Sequence, residues 1–261
     1  MSAAPTFKFS KHFPGIIWNT LVVPDKNLLI LEIRDDKNFQ VCFSALNFLS
    51  GKFIWENVKL KETWWIGFTA ANNELILFHT YIQKGNPDHK NLIAYDIFSQ
   101  KIRWEVEEFS FFDWDHERVY GYLTKDELLH ATINISNGMV APQQWAVSHA
   151  PVENTAKPVM YLEGSAYFET LKEFVEQKTQ HTIKKGVEYL EWNEWILMSL
   201  YREENGKLAN YLLVFSRDGV LLMDEKLGEN LSGLGTDTFF ILAGCLILVK
   251  NRTELVVYTY G

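Results

Sequence analysis

A chain of 261 residues, 47% hydrophobic and 22% charged, has an ordinary globular composition and enough length to bury a sizeable core without staples. Lys and Arg total 25 against 33 Asp and Glu, a net charge of -8. That balance disfavours non-specific attraction to nucleic acid or to an anionic membrane, both of which require basic surface. Cys42 and Cys245 cannot build a disulfide framework and lack metal-ligand spacing. The first 15 residues show no apolar segment after a basic start. The longest apolar run, residues 239–249, falls short of the roughly 20 residues that span a bilayer. These features predict a reduced, soluble, cytoplasmic monomer without cofactor or metal, and without nucleic-acid or membrane partners.

In chain order, residues 6–10 read as a short β-like piece, and repeated hairpins begin at Gly15. Ala45, Asn47, Ser50, Lys52 and Trp55 recur as Ala94, Asp96, Ser99, Lys101 and Trp104, all at an offset of 49. Weaker copies lie at 131–145 and 212–224. Each is a β-rich run, a polar turn and a second β-rich run. An upstream hairpin precedes each copy and also occurs near residue 246, with Leu28, Leu75, Val119, Ile196 and Leu246 as equivalent positions. The steps are 47, 44, 77 and 50 residues, and four strands in 44 to 50 residues is the period of a propeller blade. The expected fold is an all-β, five-bladed β-propeller in one domain. Its blades are 15–60, 61–107, 108–146, 187–228 and 234–261, the last completed by residues 6–10 so that no edge is left unpaired.

The long step leaves residues 147–186 as an insertion between blades three and four. Residues 147–157 read as loop. Further on, Tyr167, Phe168, Leu171, Phe174 and Val175 follow helical spacing, with Ser165 as N-cap and Glu169 early in the helix. The alternative makes this region a sixth, degenerate blade.

Trp55, Trp104 and Trp145 stand at one repeat position, which predicts packing between blades with each indole N–H on a backbone acceptor. First strands, which line a propeller's channel, hold Trp64, Trp65, Phe111, Trp114, Tyr189, Trp192 and Phe240. Among them stand the carboxylates Asp113, Asp115, Glu188, Glu191 and Asp237, of which Asp113, Asp115, Glu191 and Asp237 are the candidates for the acid and base pair that a glycoside hydrolase would need. Turn carboxylates such as Asp115 more often accept backbone hydrogen bonds. The histidines show no metal spacing, and Gly233-Leu-Gly235 precedes a strand rather than a helix, so no phosphate cradle is expected. The longest second-to-third loops, 81–90 and 202–207, are predicted to crowd one face with the insertion. That places His89, Lys90, Arg202, Glu203, Tyr167 and Phe168 as candidate binding residues.

The hairpin from Ala94 through Asp96, Ser99 and Lys101 to Trp104 resembles the repeat of quinoprotein, PQQ-type β-propellers. This resemblance implies a packing motif and a fold; it supplies no positions for the quinone or metal ligands of those enzymes. Residues 161–168, 210–214, 237–240 and 249–255 resemble an uncharacterised bacterial domain family of unknown function, which implies a fold and no activity. The expected role is a non-catalytic interaction module presenting loops to a protein or peptide. The alternative is a carbohydrate-active or sugar-binding propeller using the channel carboxylates and aromatics.

Overall fold

A computed structural model of the chain describes residues 3–83, 86–124, 128–145 and 155–260. The chain forms two compact units, one of Met1–Ile17 with Glu153–Gly261 and one of Trp18–Val152. The secondary structure is five β-sheets and one α-helix among the described residues. Strand β1 (Thr6–His12) comes first. The first blade follows as β2 (Ile16–Val23), β3 (Leu28–Asp35), β4 (Gln40–Asn47) and β5 (Phe53–Val58). The second is β6 (Ile66–Ala71), β7 (Leu75–Gln83), β8 (Asn86–Asp96) and β9 (Lys101–Val106). The third is β10 (Phe109–Trp114), β11 (Arg118–Leu123), β12 (Leu129–Asn134) and β13 (Val140–Pro142). In each sheet the four strands pair in chain order.

Period-two alternation decides which face meets which neighbour. On β7, Ile76 and Phe78 pack with Ile30 and Phe43 of the first blade. The intervening Leu75 and Leu77 pack with Phe109, Val119 and Ile133 of the third. The repeated residues of the hairpin explain themselves in the turns. Asn47 Oδ1 accepts from the backbone N–H of Leu49 and Ser50 at 3.0 and 2.9 Å. Asp96 does the same for Phe98 and Ser99, and Asn134 for Ser136 and Asn137. These Asx turns hold the Asp96 carboxyl at about 2, chiefly through the Ser99 N–H and with Arg103 assisting.

The recurring tryptophans latch one blade to the next. Trp55 Nε1 donates to the Ile97 carbonyl, and Trp104 Nε1 to that of Ile135, each at 2.8 Å and buried. Gly138, at φ 76, lies so close beneath Trp104 that a Cβ there would stand 2.7 Å from the Trp104 Cβ. Trp145 departs from this pattern. Its indole donates to Gly121 O within its own blade at 3.1 Å and packs on Phe112, Tyr122 and His130.

The segment expected as a helical insertion also supplies two short strands. β14 (Thr155–Ala156) pairs with the first strand of the fifth blade, and β15 (Val159–Leu162) with that of the fourth. The loop expected earlier in the insertion, residues 147–154, lies outside the described residues. Helix α1 (Ala166–Lys178) follows, capped by Ser165, whose hydroxyl accepts from the Phe168 N–H. The fourth blade is β16 (Gly186–Trp192), β17 (Trp195–Glu204), β18 (Lys207–Ser216) and β19 (Leu221–Leu231), widened by β15. The fifth is β20 (Phe239–Leu242), β21 (Cys245–Lys250) and β22 (Glu254–Thr259). β1 completes it, pairing antiparallel with β22 from Thr6↔Thr259 to His12↔Glu254. The insertion therefore adds strands to existing sheets and makes no sixth blade among the described residues. One face of the fourth blade packs on the fifth through Leu197, Val214, Ile241 and Leu248. α1 covers the other, with Phe168 and Val175 against Met198, Leu200, Leu213 and Phe215. No described helix is long and apolar enough to cross a membrane.

Both elaborations expected as long loops are instead strand pairs drawn out past the sheet. β7 and β8 remain paired to Gln83↔Asn86, with residues 84–85 outside the described set. β17 and β18 remain paired to Glu204↔Lys207 and turn through Asn205 at φ 51 and Gly206 at φ 76. Two consecutive positive φ angles make the tight hairpin turn for which Asn-Gly is the preferred sequence.

Candidate functional site

The four carboxylates considered for acid and base roles are each committed locally. Asp113 accepts from the Trp114 N–H at 2.8 Å. Asp115 accepts from the Glu117 and Arg118 N–H groups and from the Tyr120 hydroxyl, the turn role that its position suggested. In the other unit, Glu191 takes the Tyr189 hydroxyl and the Arg217 guanidinium, and Asp237 pairs with Lys157 at 3.0 Å. No group of three or more described His, Cys, Asp or Glu side chains is placed to hold a metal ion.

The candidate binding residues divide. Phe168 is buried under α1 and belongs to the core; its helical neighbour Tyr167 points outward, 69% exposed. The correction follows from helix geometry, since adjacent residues on an amphipathic helix face about 100° apart. His89 and Lys90 lie on β8, where the Lys90 ammonium stands over the Tyr81 ring at 5.1 Å. Arg202 is half-buried in an ion network. It donates to Glu204 at 2.7 Å and lies over Tyr211, whose hydroxyl also donates to Glu204. Lys226 completes the network on Glu204 and Glu229. These donors hold the Glu204 carboxyl at about 2, with the Tyr211 hydroxyl the largest cause. Glu203 is exposed.

Around Tyr167 the surface is apolar and aromatic. Its ring packs on Tyr161 at 5.2 Å, and Tyr161 meets Tyr189 edge-on. Val159 and Leu162 of β15 are also exposed. β15 is the edge of its sheet, with no strand on its far side among the described residues.

Two buried carboxylates escaped the sequence reading as site residues. Glu32, 2% exposed, accepts from Arg34 Nε at 2.6 Å and from the Phe68 N–H. Arg34 also donates to the Trp64 and Ile66 carbonyls at 3.1 and 2.7 Å. Burial pushes the Glu32 carboxyl up, and Arg34 offsets part of that. The guanidinium lies 5.4 Å from the Trp18 ring centre and 5.2 Å from that of Trp64. Phe39 stands edge-on to Trp64 at 5.3 Å. Nearby, Gly67 leaves room between Glu32 Oε2 and the His79 ring, each 3.2 Å from where a Cβ would stand. His79 hydrogen-bonds Thr69 at 2.7 Å, and burial lowers its pKa to about 4. The signal was present in the sequence: Leu28, Ile30, Glu32 and Arg34 alternate on one face, so two charges occupy inward positions.

Glu188 is the second, 1% exposed. It accepts from the N–H and hydroxyl of Thr238, and that hydroxyl continues to Ser199 and thence Asn210. Burial pushes its pKa up, the Thr238 hydrogen bonds oppose this, and the Asp237 charge adds to the rise.

A family model described as a domain of unknown function (DUF4905) matches residues 22–104. Among solved structures the chain is similar to BamB from Moraxella catarrhalis, at 11% identity over 98% of this chain and 100% of that one, with a TM-score of 0.38. It is also similar to prolyl oligopeptidase B from Galerina marginata, at 11% identity over 91% of this chain and 30% of that one, TM-score 0.35. The β-propeller domain of the Trilobed protease from Pyrococcus furiosus matches at 9% identity over 92% and 78%, TM-score 0.34. No curated protein matches.

Proposed function

We propose that the protein is a non-catalytic interaction module that binds a peptide or protein partner. The observation that carries this reading is the edge of β15, open among the described residues and flanked by exposed Val159 and Leu162 and by Tyr167 packed on Tyr161. An open strand edge offers main-chain hydrogen bonds that an extended polypeptide reads, while adjoining apolar side chains select alternate residues of the guest. The projecting hairpin ends, one bearing His89 and Lys90 and the other Arg202 and Glu203, are proposed as further partner contacts, each on its own unit. The two unpaired thiols, Cys42 and Cys245, accord with a reducing compartment such as the cytoplasm.

The test is to pan a random peptide library on the full chain and measure the enriched peptides by titration. Peptides with alternating apolar residues are expected, bound at least about tenfold more weakly by Val159→Lys and Tyr167→Ala. Enriched peptides indifferent to both substitutions would remove the β15 edge from the proposal.

A further inference from the structure

The cluster around Arg34 differs in chemistry from the edge of β15. Glu32 neutralises Arg34 at 2.6 Å, so the site holds no net positive charge with which to draw in a phosphate or carboxylate. Three of the five guanidinium N–H groups are committed, to Glu32, Trp64 O and Ile66 O, which leaves donors for neutral oxygens. Beside them stand two broad aromatic surfaces, Trp18 at 59% and Phe39 at 61% exposed. Phe39 is moreover held at φ 52 and is the sole aromatic residue among the described non-glycine residues at positive φ. A bulky side chain is sterically disfavoured in that region, and the turn in which Asp35 accepts from the Lys37 and Asn38 N–H groups holds it there. Its ring is thereby held edge-on to Trp64.

We infer that Trp18, Phe39, Trp64 and Arg34 form a binding site for a neutral saccharide. A pyranose with equatorial substituents has an apolar C–H face that covers an indole and a rim of hydroxyls that takes N–H donors. The cluster presents that pair of features together, without net charge.

The experiment titrates the full chain with neutral hexasaccharides of β-1,4-linked glucose, xylose and mannose, β-1,3-linked glucose and α-1,4-linked glucose. Tryptophan fluorescence and calorimetry provide the readouts. Saturable binding of at least one sugar is expected, weakened about tenfold or more by Trp18→Ala. Phe39→Gly separates recognition from folding: it should weaken binding while leaving the melting temperature unchanged or raised, because glycine relieves the left-handed backbone. The inference is overturned if no sugar binds at millimolar concentration, or if a sulfated glycan binds while its neutral counterpart does not. It is equally overturned if binding survives both substitutions, if Phe39→Gly lowers the melting temperature, or if only aromatic peptides compete for the site.

Discussion

At the scale of single residues, the unusual expenditure is on buried polar groups between neighbouring strands. Glu188 carries its carboxyl into the interior with hydroxyls and N–H groups around it, whereas Glu32 has a guanidinium beside it. A carboxyl whose folded pKa lies above its unfolded value contributes stability that is fully present below the unfolded pKa. That contribution is lost as pH rises through the folded pKa. Glu188, raised from 4.5, should therefore destabilise the fold as pH climbs out of the acid range. His79 acts in the opposite direction: its pKa falls from 6.5 to about 4, so its contribution is present above 6.5 and lost as pH falls towards 4. Replacing Glu188 by Gln is expected to flatten the decline in melting temperature as pH rises above the ordinary carboxylate value of 4.5, measured by calorimetry against the parent protein. An unchanged slope would show that Glu188 does not titrate there. The alternation Leu28, Ile30, Glu32, Arg34 made one of these sites readable from sequence. Glu188 was read only as a channel carboxylate, because the hydroxyls that surround it come from residues 11 and 50 positions away.

At the scale of elements, the tryptophan latch is the device that joins repeats. Replacing Trp104 by Phe would strip the Ile135 carbonyl of its 2.8 Å donor and leave a space over Gly138. A lost buried partner costs about 1–3 kcal/mol, and the missing ring volume adds to it, so a loss of about 2–4 kcal/mol is expected from urea unfolding. The half-buried Trp145 should lose less, since its indole serves its own blade. Equal losses at the two positions would mean that the latch between blades adds nothing. The latch at Trp55 and Trp104 was legible because the tryptophan recurs at an offset of 49, and the polar turns and the Ser165 cap because each is written in neighbouring residues. Strands β14 and β15 were not, since two and four residues are too short to display a period. The Asn205-Gly206 turn was written plainly and misread: loop length was inferred from polar residues, although Asn-Gly between β-rich runs signals a tight hairpin.

At the scale of the molecule, the number of blades followed from the 44- to 50-residue step, and completing the last of them required a strand from the opposite end of the chain. β1 supplies it, with a bulge between Phe7 and Phe9, and Phe7 packs edge-on to Tyr258. The segment does more than pair. Ahead of β1, the Ala3 carbonyl accepts the buried Trp195 indole N–H at 3.0 Å, and Trp195 packs against Tyr260 and Trp192. The N-terminal segment thus gives the fourth blade the kind of carbonyl that Ile97 and Ile135 give to Trp55 and Trp104. Its removal would expose the β22 backbone edge and orphan a buried donor together. An exposed hydrophobic strand edge is a template for self-pairing, and an unsatisfied buried N–H costs about 1–3 kcal/mol by itself. Deleting residues 3–12 is therefore expected to lower the melting temperature and to produce concentration-dependent oligomers in light scattering. Adding the excised segment as a synthetic peptide should restore both, because it re-pairs β22 and returns the Ala3 carbonyl. A peptide lacking Ala3 should pair the strand but recover less stability than the longer one, which separates the two contributions. A truncated protein that remains monomeric with an unchanged melting temperature would show that β1 is not what completes the blade.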